Sequence, residues 1–230
     1  MDKYKIAKRI EDFAPTETQE DWDCSGWAVN VEGYDEINKI MLCLTVTDDI
    51  IKQAKEQNCD LIVSHHPCFY VPLNRSDINI YCAHTNMDKA QGGTTDTIIE
   101  KLGLTNYKIF VEHDFLRIID YKTTVNEFHK LIKTISPNAR ITNNKNVEQL
   151  KKIAFCAGSG SEFINDAKEL GADCLVTGDL KFHTALDSGI VVYDIGHFES
   201  EILILPVFAK IIGNDVKIVY ADEYSPFVLI

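Results

Sequence analysis

Residues 37–66 read INKIMLCLTVTDDIIKQAKEQNCDLIVSHH, and residues 150–179 read LKKIAFCAGSGSEFINDAKELGADCLVTGD. Laid over one another at an offset of 113 (150 − 37), the two segments need no gap. Lys39, Ile40, Cys43, Ile51, Ala54, Lys55, Glu56, Asp60 and Val63 meet identical residues, nine positions in thirty. Ungapped self-similarity over a supersecondary unit points to internal duplication. Both copies share one order of elements. An apolar strand (Ile40–Leu44; Ile153–Ala157) leads through a polar turn into a helix. That helix carries apolar residues at helical spacing, at Ile50, Ile51 and Ala54 and at Phe163, Ile164 and Ala167. A second strand follows, Leu61–Val63 or Cys174–Val176. This is a β-α-β unit, which favours parallel strands and a right-handed crossover. The fold class expected is α/β, with two intertwined, internally duplicated halves and mixed sheets.

In such units ligands gather at the carboxyl ends of the strands. His65 and His66 stand at one such end, and their counterparts in the second copy are Gly178 and Asp179. Carried further, the same offset lays His84 on His197 and Asp88 on Glu201. Both copies therefore place H-x-x-x-acid after a short apolar strand, Ile80–Ala83 or Val191–Ile195. On a helical first turn, residues four apart share a face. The match fades over 70–80 and is carried by its ends.

Of the seven histidines, four fall at these strand ends; His113, His129 and His183 do not. Neutral imidazole with carboxylate is a borderline ligand set, suited to Zn, Mn, Fe, Co or Ni. Adjacent histidines on an extended chain point to opposite sides. They are poorly placed to share one ion and better placed to reach two, with a carboxylate such as Glu201 as bridge. Two ions about 3.5–4 Å apart are the usual hydrolytic arrangement. Asp88 and Glu201 also suit a helix N-terminus as acids that complement its dipole. Their joint occurrence with four histidines favours a metal site. A site capping strand ends is expected outside the core, so that His65→Ala would leave secondary structure intact. Asp179 and Glu199 lie nearby in sequence.

The bulk composition agrees with a globular protein: 45% hydrophobic and 25% charged residues over a chain of 230. The formal net charge of −12 argues against general binding to nucleic-acid phosphate, which needs clustered Lys and Arg. An acidic chain still accepts anionic nucleotides where metal ions supply positive charge. The N-terminus lacks an apolar signal-peptide core, and no run is long enough to span a membrane. Seven scattered cysteines without C-x-x-C suggest a reduced, cytoplasmic protein. There is no P-loop and no G-x-G-x-x-G.

Six motifs together resemble one family. They are EDWDCSGWAVN (20–30), SHHPCFY (64–70), AHTNMD (83–88), TGDLKFHTALDSG (177–189), GHFESE (196–201) and SPF (225–227). The family is that of the dinuclear metal-centre proteins related to NGG-one-interacting factor three, labelled GTP cyclohydrolase I type 2 homologues. The resemblance implies five metal ligands, His65, His66, Asp88, His197 and Glu201, with Glu201 bridging two divalent ions per subunit. It places His84 at the site as a candidate acid/base group, and Asp179, Lys181 and His183 within reach of substrate. It implies a toroidal homohexamer of two-halved subunits, the C-terminal segment returning to the first half. Two departures stand out. The family's L-D-x-T is Leu44-Thr45-Val46-Thr47 here, and its W-D-N is Trp22-Asp23-Cys24.

The function expected is a metal-dependent hydrolase acting on a nucleotide or phosphate ester through metal-activated water, with His84 and Glu201 in catalytic roles. The alternative is a non-enzymatic assembly that stores or delivers metal, or binds a regulatory partner. No membrane association is expected. The halves are expected at 1–120 with 197–230, and at 121–196.

Overall fold

The computed structural model describes residues 1–68, 77–110 and 113–228. Phe69 and Tyr70 of the double-histidine motif lie outside the described residues. The chain divides into two compact units, Met1–Gly93 with Ile204–Tyr224, and Thr94–Leu203 with Ser225–Ile230.

The first unit begins with α1 (Lys3–Phe13), β1 (Gly26–Val29), β2 (Lys39–Cys43), α2 (Asp48–Glu56), β3 (Leu61–Ser64), β4 (Asn79–Cys82) and α3 (Thr85–Lys89). The second unit runs α4 (Thr94–Lys101), β5 (Lys108–Phe110), β6 (His113–Thr124), α5 (Val125–Ile132), β7 (Arg140–Thr142) and β8 (Gln149–Phe155). It continues with α6 (Ile164–Glu169), β9 (Cys174–Thr177), α7 (Phe182–Leu186), β10 (Val191–Asp194) and α8 (His197–Glu201). The chain then returns to the first unit as α9 (Leu205–Ile212) and β11 (Lys217–Tyr220).

Each unit is built on one mixed sheet. The first has the order β1-β4-β3-β2-β11, parallel except for β1. The second has the order β5-β6-β8-β9-β10-β7, in which β8, β9 and β10 are parallel and their flanking partners antiparallel. Strands β3, β4, β9 and β10 are buried along their whole length, as central parallel strands covered on both faces are. The first core includes Met41, Ile50, Ala54, Ile62 and Ile80. The second unit has two apolar clusters, one around Phe128, Phe155 and Tyr193 and one around Leu116, Ala154 and Leu175.

The duplication is written into the backbone register. Ile40, Met41 and Leu42 of β2 face Leu61, Ile62 and Val63 of β3. At the offset of 113, Ile153, Ala154 and Phe155 of β8 face Cys174, Leu175 and Val176 of β9. Two of the nine identities have a matching structural use. Asp60 Oδ2 accepts the backbone N–H groups of Asn38 (2.8 Å) and Lys39 (3.0 Å). Asp173 Oδ2 accepts those of Lys151 (2.8 Å) and Lys152 (3.1 Å). The Lys39 ammonium donates to Gln57 O, and that of Lys152 to Leu170 O, again 113 residues on. These side chains clamp the start of one strand to the turn before the next.

The third strand slips. Leu61 pairs with Asn79, a separation of 18, whereas Cys174 pairs with Val191, a separation of 17. The second copy recovers the residue after the strand, where Ile195 and Gly196 precede His197 while only Ala83 precedes His84. The histidines thus stay in step although the third strand does not.

The units do not divide where the sequence suggested. Residues 94–120, 197–203 and 225–230, expected in the first half, cluster with the second unit. The reason is pairing: β6 runs antiparallel to β8 from Arg117 to Thr124, binding the chain before residue 121 to the second sheet. Inside this unit Arg117 and Asp96 form a fully buried ion pair, and Tyr107 donates its hydroxyl to Asp96 Oδ2 at 2.6 Å.

Candidate metal centre

In the first unit the donors are set by strand ends. β3 stops at Ser64, and the chain bends through His65 and His66. Their backbone N–H groups still bond the neighbouring segment, to Cys43 O at 3.3 Å and Leu44 O at 2.8 Å. The two imidazoles are not splayed as on an extended strand. Their ring centroids lie 5.1 Å apart, and His84, following β4, lies 5.3 Å from His65 and 5.5 Å from His66. One ring nitrogen from each of the three falls within 4.8 Å of the others, so His65, His66 and His84 make a group able to hold a metal ion. Asp88, one helical turn after His84 on α3, brings Oδ1 to 3.4 Å from His65 Nε2. His65 is fully buried, which corrects the expectation of a site outside the core.

Each imidazole has its Nδ1 engaged. His65 Nδ1 is 3.0 Å from Ala83 O, and His84 Nδ1 is 2.9 Å from Asp23 Oδ1. A carbonyl and a carboxylate only accept, so both Nδ1 atoms carry the hydrogen, and Nε2 is the nitrogen with a lone pair in the neutral rings. His66 Nδ1 lies 2.7 Å from Thr45 Oγ1. The Asp23 carboxylate also accepts from Thr85 N and Thr85 Oγ1. Burial pushes Asp23 up, but the His84 and Thr85 bonds outweigh it and hold the carboxyl well below the usual carboxylate range. It remains an anion that orients His84.

In the second unit His197 opens α8 and Glu201 sits four residues on, so the two share a face. His197 Nε2 is 2.9 Å from Glu201 Oε2, and His197 Nδ1 is 2.7 Å from Asp179 Oδ2. Burial lowers the His197 pKa, but the hydrogen bonds and charges of Glu201 and Asp179 outweigh it and push it up to about 9. Glu201 is buried and fitted against Gly158, where a β-carbon would lie 2.2 Å from Glu201 Oε1. Gly158 has φ +61° and donates its N–H to Ser200 Oγ at 2.9 Å. Gly178, the counterpart of His65, is crowded by backbone: a β-carbon there would meet His197 N at 2.8 Å and Gly158 O at 2.9 Å. The second copy therefore has no room for a side chain where the first places a histidine.

The remaining histidines lie elsewhere. His129 on α5 faces Tyr193 with centroids 6.3 Å apart, and His113 pairs with Asp166 at 3.6 Å. His183 and Lys181 are exposed at the start of α7, where His183 rests on Phe182. Asp23, Thr45, Gly158 and Ser200 are site residues that the sequence reading did not assign. Thr45 and Gly158 are 113 apart, so the repeat itself marks both: each follows the first strand of its copy and supports a neighbouring donor.

These residues fit a borderline divalent metal. Imidazoles whose Nδ1–H is tied to carbonyl or carboxylate present Nε2 in the metal-binding tautomer, and outer acceptors of this kind orient metal-ligating histidines. Asp88 beside the first histidine group and Glu201 beside His197 each offer a hard oxygen donor within their own unit, and no thiolate is needed.

Residues 1–225 match the profile of the Duf34/NIF3 (NGG1p interacting factor 3) family. A Clostridium perfringens protein named GTP cyclohydrolase 1 type 2 homolog is 36% identical, covering 95% of this chain and 95% of its own. A Clostridium acetobutylicum protein of the same name is 30% identical over 84% of this chain and 82% of its own. Among solved structures, reduced HcgD from Methanocaldococcus jannaschii superposes with a TM-score of 0.85 at 28% identity, covering 97% of this chain and 98% of that one. A Bacillus cereus protein related to NIF3 gives 0.86 at 19% identity over 100% and 99%, and shows the shared fold. No helix among the described residues is long and apolar enough to cross a membrane.

Proposed function

Because the chain belongs to the Duf34/NIF3 family, we propose that it is a dinuclear metal-binding protein and a metal-dependent hydrolase of nucleotides or phosphate esters. His65, His66, Asp88, His197 and Glu201 are the ligands in this reading, with Glu201 as the bridge. The observation that carries it is the common treatment of two of these imidazoles: His65 and His197 each have Nδ1 against a pure acceptor, which directs Nε2 to ligation.

Two bound divalent ions would supply Lewis acidity toward the substrate oxygen and an acidified water. The protein supplies the rest. Asp23 holds His84 in one orientation through Nδ1, which leaves its Nε2 to receive a proton from water or return one to the leaving group. Asp179 fixes His197 in the same manner. Gly158 and Ser200 hold the α8 turn so that the Glu201 carboxylate is presented from a buried base. The homohexamer implied by the resemblance belongs to the same proposal.

A panel of phosphomonoesters, phosphodiesters and GTP, assayed with metal-loaded protein, tests the hydrolase. The expected result is turnover on at least one substrate that is abolished by chelator and reduced at least a hundredfold in Glu201→Gln, on the order of the loss when one key transition-state group is removed. Full metal occupancy with no turnover on any of them would remove the hydrolase and leave a non-enzymatic assembly that stores or delivers metal, or binds a regulatory partner.

A further inference from the structure

Trp22 is 62% exposed, a rare placing for an indole, and it stands beside the histidine group of the first unit. Its ring centroid is 6.0 Å from that of His84, with the planes at 74°. His84 in turn packs edge-on to His65 and His66. The segment that carries Trp22 is held firmly. Glu20 N donates to Thr85 Oγ1 at 2.9 Å, and Asp23 accepts from His84 and Thr85. Ser25 N donates to Gln19 Oε1 at 2.7 Å, and Ser25 Oγ to Asn86 Oδ1 at 2.7 Å. Lys89 pairs with Glu20 at 2.5 Å. Bonds on both sides of residue 22 tie this turn to α3, the helix that also bears Asp88.

A fixed turn that leaves a large flat apolar ring in water, against the donors of a candidate metal group, has the form of a stacking platform. The indole stands steeply inclined to the His84 ring, and with most of its surface in water it has room for a second planar ring. Stacking on an aromatic side chain tolerates any base, since every base has a π-face. A phosphate gains nothing from such a surface, and a ribose phosphate has no planar π-face to stack on it. Resting on the proposed function, we propose that Trp22 selects among phosphate esters by stacking on a planar heteroaromatic ring, so that the ligand of this site is a nucleotide rather than a simple phosphate ester.

Calorimetric titration of metal-loaded full-length protein with GMP and with ribose 5-phosphate tests this. Trp22→Ala is expected to weaken GMP binding by about tenfold to a hundredfold, the range of one lost stacking contact. Trp22→Phe should recover most of that loss. Ribose 5-phosphate affinity and metal content should be the same in all three proteins. Equal GMP affinity in wild type and Trp22→Ala would overturn the stacking role and leave the hydrolase reading standing. If wild type binds ribose 5-phosphate but not GMP, stacking is also overturned. Failure of wild type to bind either probe would overturn the nucleotide reading together with it. Loss of metal in Trp22→Ala would show that the residue holds the site together instead of selecting its ligand.

Discussion

If the proposed ligand set holds, Gly158→Ala is expected to abolish metal binding although residue 158 is not in that set. An alanine β-carbon would sit 2.2 Å from Glu201 Oε1 and 3.6 Å from His197 Cε1. One contact is impossible, so either the carboxylate or the backbone must move. The backbone is poorly able to do so, because Gly158 N–H is held by Ser200 Oγ and Gly158 O accepts from Gly178 N at 2.7 Å. At φ +61° alanine adds about 1–2 kcal/mol of its own strain. The carboxylate yields, and Glu201 leaves its position. Metal affinity measured by competition with a chromophoric chelator should fall at least a hundredfold, while the far-ultraviolet spectrum of the α/β fold stays. Unchanged affinity would mean that Glu201 is not a ligand.

Arg117→Met is expected to produce the largest loss of stability in the second unit. Arg117 and Asp96 are both fully buried, with Arg117 Nε donating to Asp96 Oδ1. Arg117 also donates to Asp114 O at 2.6 Å. Removing the cation leaves the Asp96 charge in an apolar core with the Tyr107 hydroxyl as a neutral donor. Breaking a buried pair from one side costs about 3–5 kcal/mol, because the remaining charge has lost its counter-ion. The double variant Asp96→Asn/Arg117→Met removes both charges and should recover most of this. Denaturant midpoints followed by circular dichroism measure both; a single-variant loss below about 1 kcal/mol would contradict the account.

The fold was legible where the repeat was strong. The register of β2 on β3 and of β8 on β9 follows from the alignment of 37–66 on 150–179, and the Asp60/Asp173 and Lys39/Lys152 clamps explain two of its identities. The positions of His84 and His197 at equivalent strand ends were legible too. The one-residue slip of the third strand was not, because it is cancelled before His197 and leaves no trace in the spacing. Unit boundaries were missed since antiparallel pairing of β6 with β8 depends on a long-range register that composition does not reveal. The burial of His65 was missed because strand ends were expected outside the core, and the approach of its ring to that of His66 was missed because strand alternation was extended past Ser64, where the strand has already ended. Supporting residues were hardest to see. Asp23 is 61 residues from the His84 it orients, and Thr45 stands where the family pattern has an acid. Asp23 carries no link to His84 in the sequence until the sheet brings the strand ends together, and Thr45 is marked only by its place in the repeat.

Metal stoichiometry by inductively coupled plasma mass spectrometry tests the central claim most directly, on wild type, His66→Ala and His129→Ala prepared under identical metal loading. His66 is the better probe than His65, whose burial would mix loss of packing with loss of metal. The account predicts two divalent ions per chain in wild type and in His129→Ala, and one or none in His66→Ala. Two ions retained in His66→Ala, or fewer than one in wild type, would contradict it.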